Sequence, residues 1–215
     1  MDCRTWVKDY NRYMCELRAA LRAHVPDNEV RLLVEVGMAH YNDLFRLKAV
    51  AAKTDVFQVV SGTWVTPAER CFLWMGGIRP SEALKIVIPQ VEPFTEEQLL
   101  GIRTLQQSLQ QAEDAISQAM EVLQQSLADT VAASLLDSSP NVADYMGQMA
   151  MALGKLGTLE SFVLQANNLR QQTLHQMNAI LTTHQSAQAI LALGDYCTRL
   201  RALSSIWCAR PQGRG

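Results

Sequence analysis

The sequence predicts an all-α protein: a single multi-helix bundle over residues 1–215, with two or three long helices and several short ones. Three observations carry this expectation. Apolar residues recur at steps of three and four along nearly the whole chain, the period of one helix face. Alternating runs bounded by turn residues, the mark of strands, are nearly absent. Helix-start signals of the form Thr-x-x-Glu or Thr-x-x-Gln stand at Thr66, Thr95 and Thr182.

Taken in order, Trp6 to about His24 places Val7, Tyr10, Tyr13 or Met14, Leu17 and Leu21 on one stripe. It stops before Val25-Pro26, because proline disfavours helix in the residue ahead of it. Asp27 is expected to cap a second helix from Glu29, whose stripe is Val30, Leu33, Val34, Met38, Tyr41, Leu44, Phe45 and Leu47. A short apolar piece, TDVFQVVSG, follows and ends at Ser61-Gly62. In TPAERCFLWMGG, Thr66 is an N-cap, Pro67 sits at the first helical position, and Glu69 can reach back to the Thr66 amide. A helix from Ala68 to about Met75 is therefore expected, closed by a left-handed Gly76.

PFTEEQLL supplies the next start, with Thr95 and Gln98 as the box and Phe94 against Leu99 as a hydrophobic staple. From there a helix of about forty residues, the length of a long bundle helix, reads Ile102, Leu105, Leu109, Ala112, Ile116, Met120, Leu123, Leu127 and Val131, up to SSPN. Ser139 and Pro140 open the following helix, with Tyr145, Met149, Ala152, Leu156, Leu159, Val163, Ala166, Leu174, Met177 and Leu181 on its stripe. Thr182 with Gln185 starts the last, carrying Ile190, Leu193, Cys197, Leu200, Leu203 or Ser204 and Trp207, and ending before Pro211.

Composition narrows the function. Of 215 residues 48% are apolar, enough for a sizeable core, and the formal net charge is -2, so this chain lacks the positive field of a duplex-binding surface. Five cysteines form neither a CxxC pair nor a cluster with histidine, which is the usage of a reducing compartment. No apolar run reaches the ~20 residues of a membrane span, and MDCRTWVKDYNRY lacks the apolar centre of a signal peptide. A protein that neither crosses a membrane nor is secreted is expected.

Candidate chemistry is sparse. Gly76-Gly77 follows a helix and not a strand, which is the wrong context for a phosphate loop. Cys71 has only Arg70 near it in sequence and is expected to be a buried structural thiol. His24, His40, His175 and His184 are too scattered for a local metal site, and His40 to Asp43 reads as an interhelical hydrogen-bond node. Met146, Met149 and Met151, interleaved with Gly147, Gly154 and Gly157, are expected mainly as core, with a cavity or partner-helix wall as the alternative. Glutamines 106, 107, 110, 111, 118, 124 and 125 form a solvated face, with a transcription-activating surface as the sharper reading. No nucleophile motif, zinc-protease helix or carboxylate pair is present, so no enzyme is expected.

Five segments carry a family resemblance: TPAERCFLWMGGIRPSE, LQQSLQQAEDAISQAMEVLQQSLA, NVADYMGQMAMALGKLGTLE, NLRQQTLHQM and RLRALSSIWCARP. Together they resemble the C-terminal DOG1 domain of plant TGA-type bZIP transcription factors, from about Trp6 to Pro211. The resemblance implies a nuclear regulator in plant defence or development that binds TGACG-type elements through a basic leucine zipper, which is expected to be missing ahead of Trp6. It further implies a homodimer or family heterodimer, BTB–ankyrin-repeat coactivators of salicylic-acid signalling and CC-type glutaredoxins as partners, and a fatty-acid-like ligand for the domain. A subset of the family carries a redox cysteine pair near the start of the long helix. Arg103 and Leu109 stand at those positions here, so glutaredoxin-dependent control would act by docking or through the thiols Cys71, Cys197 or Cys208.

Two readings follow. The first is a regulatory and interaction domain without a reaction of its own or a required cofactor. The second is a sensor whose Met- and aromatic-lined cavity takes a fatty acid or haem. The expected ligand or interface wall is Trp64, Arg70, Phe72, Trp74, Met75, Met146, Met149 and Phe162.

Overall fold

The computed structural model describes residues 3–133 and 142–210. Among them the elements run α1 (Cys3–Ala23), α2 (Asp27–Thr54), α3 (Val56–Ser61), α4 (Pro67–Arg70), β1 (Leu73–Trp74), β2 (Gly77–Ile78) and α5 (Pro80–Val87). A 3-10 turn (Ile88–Gln90) leads to α6 (Glu96–Ala133), α7 (Val142–Ile180) and α8 (Thr183–Ala209). The all-α expectation holds apart from one two-residue hairpin. The expected break at SSPN, and the start at Ser139 and Pro140, fall outside the described residues.

Helices α1, α2, α5 and α8 and the adjoining ends of α6 and α7 enclose the main core, with Trp6, Tyr13, Leu17, Val30, Val34, Leu84, Leu105, Leu109, Ala187 and Ile190 all buried. A smaller core joins α2 and α3 to the α6–α7 pair through Ala52, Val56, Val59, Met120, Leu159 and Val163. Past it the C-terminal part of α6 and the N-terminal part of α7 continue as an arm, and no α7 residue from Val142 to Met151 is buried.

The three predicted start signals form. Thr66 N and Oγ1 both donate to Glu69 Oε2, at 2.9 and 2.7 Å. Thr95 N donates to Gln98 Oε1 at 3.1 Å while Gln98 N donates to Thr95 Oγ1 at 3.2 Å. Thr182 and Gln185 repeat that pattern. The last two boxes also bond each other: Gln98 Nε2 donates to Gln185 Oε1 at 2.7 Å, and Gln185 Nε2 donates to the Val91 and Pro93 carbonyls. Two helix starts distant in sequence are thereby tied into one corner.

Several expectations are corrected. Asp27 is the first helical residue of α2 and not its cap; Pro26 precedes it without a side-chain cap. Phe94 packs on the main core, while Leu99 is 38% exposed. Val7 and Trp207, placed on apolar stripes, are exposed, and Ser204 takes the buried position near the end of α8. Met146 and Met151 are exposed, not core, because only one side of that part of α7 faces α6. The His40–Asp43 stretch, by contrast, is the expected interhelical node: Trp6 Nε1 donates to His40 O at 2.8 Å, the Tyr10 and Tyr41 hydroxyls bond each other at 2.8 Å, and Asn42 Oδ1 accepts from Gln171 Nε2 at 2.9 Å. The His40 ring lies edge-on to Tyr10.

The largest correction is the segment after Thr66. The helix ends at Arg70, and the chain turns into a hairpin pairing Leu73 with Ile78 and Trp74 with Gly77. Met75 and Gly76 have φ of 46° and 73°, the left-handed pair that a two-residue hairpin turn requires. Gly76 adopts the predicted conformation, but in a β-turn and not at a helix end. Arg170 is the reason. Its Nε donates to Ile78 O at 2.8 Å and its Nη2 to the Trp74 and Met75 carbonyls. In a helix ending at Met75 these oxygens would be among the last four carbonyls, which have no intrahelical donor, whereas the hairpin presents them to Arg170.

A candidate ligand cavity and its rim

The hairpin, the loop after α3 and the helices α1, α2, α7 and α8 surround a cavity of about 530 Å³. Its walls are mostly aromatic and aliphatic: Trp6 and Tyr10 from α1, Tyr41, Leu44 and Phe45 from α2, Leu73 and Ile78 from the hairpin, Leu174 from α7, and Leu193 and Leu200 from α8. The volume lies within the ~300–1,000 Å³ of small-molecule sites.

Close helix contacts fix the inner end. At Gly194 of α8 an added Cβ would meet Met14 Cε at 2.3 Å and Tyr10 Oη at 3.0 Å, so glycine lets α1 approach α8. Tyr10 and Tyr41 share a hydroxyl hydrogen bond of 2.8 Å. Burial raises both phenol pKa values, so they remain neutral hydrogen-bonding groups. Cys197 also lines the wall, and burial pushes its thiol up from 9.0.

The hairpin side is cationic. A Cβ at Gly77 would meet Arg170 Cζ and Nε at 2.9 Å and Lys48 Nζ at 3.0 Å, so two positive groups converge where glycine leaves space. Burial lowers the Arg170 pKa to about 9, which leaves it charged at neutral pH, and Asn167 Oδ1 accepts from its Nη1 at 2.9 Å. Lys48 also lies 4.7 Å over the Trp64 ring. Apolar walls with a cationic end suit an apolar chain bearing an anionic head group. The lining includes no histidine, and its one thiol is disfavoured as thiolate, so the donor set suits haem iron less well.

Behind the hairpin a second polar set holds it in place. The Arg79 and Arg170 guanidiniums lie 5.4 and 5.5 Å from the centre of the Trp74 ring, and Trp74 Nε1 donates to Ser117 Oγ at 3.0 Å. Glu113, 1% exposed on α6, accepts from Ser81 N and Ser81 Oγ at 2.7 Å each and pairs with Arg79 at 3.3 Å. At the rim, Glu69 bonds Arg201 at 3.0 Å, Ala68 N donates to Ser204 Oγ at 2.9 Å, and Phe72 meets Tyr196 edge-on.

Of the wall residues expected from sequence, Trp64 and Phe72 line the cavity and are about half exposed at its mouth. Trp74 and Met75 belong to the hairpin, where Arg170 holds their carbonyls. Arg70 is exposed beside the rim. Phe162 packs on the smaller core, and Met146 and Met149 lie on the arm. Cys71, expected buried, is exposed, with Sγ 3.5 Å from Pro67 O, because the chain leaves the helix one residue earlier. Cys208 is exposed and Cys197 is half-buried. Arg103 is exposed and Leu109 buried. No group of three or more His, Cys, Asp or Glu that could hold a metal occurs among the described residues, and none of their helices is long and apolar enough to cross a membrane.

Sequence reasoning passed over Tyr10, Tyr41, Lys48, Gly77 and Arg170 as site residues. A signal existed for Arg170, which sits four residues after Ala166 and seven before Met177, on the apolar stripe of α7. A charged residue at a core position implies partners elsewhere in the fold.

Comparison with known proteins agrees with the resemblance in the sequence. Residues 13–89 match the DOG1 family model, described as seed dormancy control. The chain is 64% identical over 209 residues to transcription factor TGA2.2 of Oryza sativa subsp. japonica, covering 96% of this chain and 63% of that protein. It is 63% identical to transcription factor TGA2 of Arabidopsis thaliana, with the same coverages, and 63% identical over 211 residues to transcription factor HBP-1b(c38) of Triticum aestivum. The chain thus spans less than two thirds of these relatives, which are named as transcription factors and not as enzymes. Over nearly its whole length, then, the chain is similar to TGA-type transcription factors, and residues 13–89 of it match the DOG1 family.

Proposed function

We propose that this chain is the regulatory part of a nuclear plant transcription factor, one that reaches TGACG-type elements through a basic leucine zipper. The domain dimerises, with itself or with a family member, and recruits BTB–ankyrin coactivators and CC-type glutaredoxins; it performs no reaction. The supporting observation is the 63–64% identity over 96% of the chain to proteins named as transcription factors. The test is retention of a purified BTB–ankyrin coactivator on the immobilised chain, with full-length Arabidopsis TGA2 in parallel. Retention by both is expected. Retention by TGA2 alone would remove coactivator binding from this domain.

A second reading is favoured by one feature, the apolar cavity with Lys48 and Arg170 converging at Gly77. In this reading the domain binds a long-chain carboxylate, and occupancy sets the position of the hairpin and rim. Native mass spectrometry should show a mass added to the polypeptide, and palmitate should slow alkylation of Cys197 while leaving exposed Cys71 and Cys208 unaffected. Bare polypeptide together with unprotected Cys197 would sink this reading.

A further inference from the structure

The arm presents a face that its own packing does not explain. On α7, Gly147, Ala150, Gly154, Gly157 and Ser161 recur at alternating steps of three and four, and all five are exposed. A Cβ added at Gly147, Gly154 or Gly157 would have nothing within 4 Å. Each of these glycines costs the helix about 0.5–1 kcal/mol relative to alanine. At Gly37 and Gly194 in the bundle a close neighbour accounts for the glycine; here none does among the described residues. Met146, Met151 and Leu153 flank the stripe, each at least 60% exposed. Methionine is the apolar side chain best able to follow an irregular partner surface.

Charge indicates what that partner carries. The whole chain has 19 Lys and Arg against 21 Asp and Glu, yet from Thr104 to Leu169 there are seven acidic residues and a single basic one, Lys155. Lys155 is turned toward α6, donating to Ser126 O at 2.6 Å and to Thr130 Oγ1. Glu121 and Asp129 on α6 and Asp144 on α7, three residues before Gly147, are exposed on the arm. A second copy of the same face would bring like charges together, which is unfavourable within a Debye length of about 8–10 Å. A helix with Lys or Arg beside its apolar stripe meets the opposite field.

We propose that the exposed face of α7 around Gly147 to Gly157 is a docking site for an amphipathic helix of a partner protein, with basic residues flanking an apolar stripe. The small residues admit that helix close to the α7 backbone, the methionines cover its apolar side chains, and the arm's carboxylates attract its cations. The proposal rests on the reading of the chain as an interaction domain. It is separable from that reading, because coactivator retention with no occupancy of this face would remove only the site proposed here.

The probe is a synthetic helical peptide of about five turns, with a Leu and Ala stripe flanked by Lys, beside a control in which every Lys is Glu. Both are titrated by fluorescence anisotropy against the full chain, and hydrogen exchange locates the contact. The Lys peptide is expected to bind at least about tenfold more tightly than the Glu peptide, ~1.4 kcal/mol. Protection is expected on residues 146–158. The double variant Gly147→Leu, Gly154→Leu, which leaves charge and intramolecular contacts alone, should weaken binding by about tenfold without lowering the thermal midpoint. Leu153→Lys should do the same through one exposed side chain. Unchanged affinity in both variants would mean attraction by charge alone and would overturn the proposal. So would equal binding of the Glu peptide, protection elsewhere, or a homodimer in sedimentation that Gly154→Leu dissociates.

Discussion

The bundle around the cavity and the α6–α7 arm use the same residue type for opposite ends. In the bundle, a Cβ at Gly37 would meet Tyr13 Oη at 2.2 Å, at Gly194 Met14 Cε at 2.3 Å, and at Gly76 Val59 Cγ1 at 2.6 Å. On the arm, the same addition at Gly147, Gly154 and Gly157 meets nothing. Glycine in the bundle is set by a neighbour already present; glycine on the arm thins a surface that no described residue covers. Polar groups divide in the same way. Glu113 and Arg170 are buried and multiply bonded, whereas Glu121, Asp129 and Asp144 on the arm are exposed. One region is organised around internal satisfaction and the other around what approaches from outside.

The internal satisfaction of the bundle depends most on Arg170. Arg170→Met keeps the volume but strips the Trp74, Met75 and Ile78 carbonyls of their donor. A loss of about 3–5 kcal/mol is expected, read as a fall in the urea midpoint. A loss below about 1 kcal/mol would mean the hairpin is held by its own turn.

Next in size is Gly76→Ala. It combines a left-handed backbone with the Val59 contact and should cost about 2 kcal/mol, measured in the same way. Gly154→Ala on the arm should have the opposite sign, raising stability by about 0.5–1 kcal/mol. If both substitutions destabilise, the arm face is already occupied in the free protein, and the contrast between the regions fails.

The smallest effect concerns pH. Burial raises the Tyr10 and Tyr41 phenols above their ordinary value of 10.0. Above that value the unfolded chain loses protons that the folded chain keeps, so stability is intact below pH 10 and falls as pH rises beyond it. Urea midpoints at about pH 8 and pH 10.5 should differ by less in Tyr10→Phe, Tyr41→Phe than in the parent. An unchanged difference would assign the alkaline loss to other groups.

Much of this was legible from residues. The Thr66, Thr95 and Thr182 boxes depend on side chains three positions apart, so sequence alone could place them. The stripe of α6 through Ile102, Leu105, Leu109 and Met120 was equally readable, because burial on a helix follows its period. The cavity was partly legible: Trp64 and Phe72 were expected in a ligand or interface wall, and both line it. Tyr10, Lys48 and Arg170 did not, because they come from α1, α2 and α7 and have no common signature along the chain. The Met146–Met151 stripe was ambiguous for a similar reason. Helical spacing says that residues share a face but not whether another element lies on that face.

Local chemistry thus determined the helical class, most of the element boundaries and the family resemblance, since capping, periodicity and motif order are properties of neighbouring residues. Tertiary structure decided the rest. CFLWMGG became a hairpin, not a helix, because a guanidinium from α7, 92 to 96 residues away in sequence, bonds its carbonyls. The glycines of the arm, in turn, stand open because no element among the described residues lies over them.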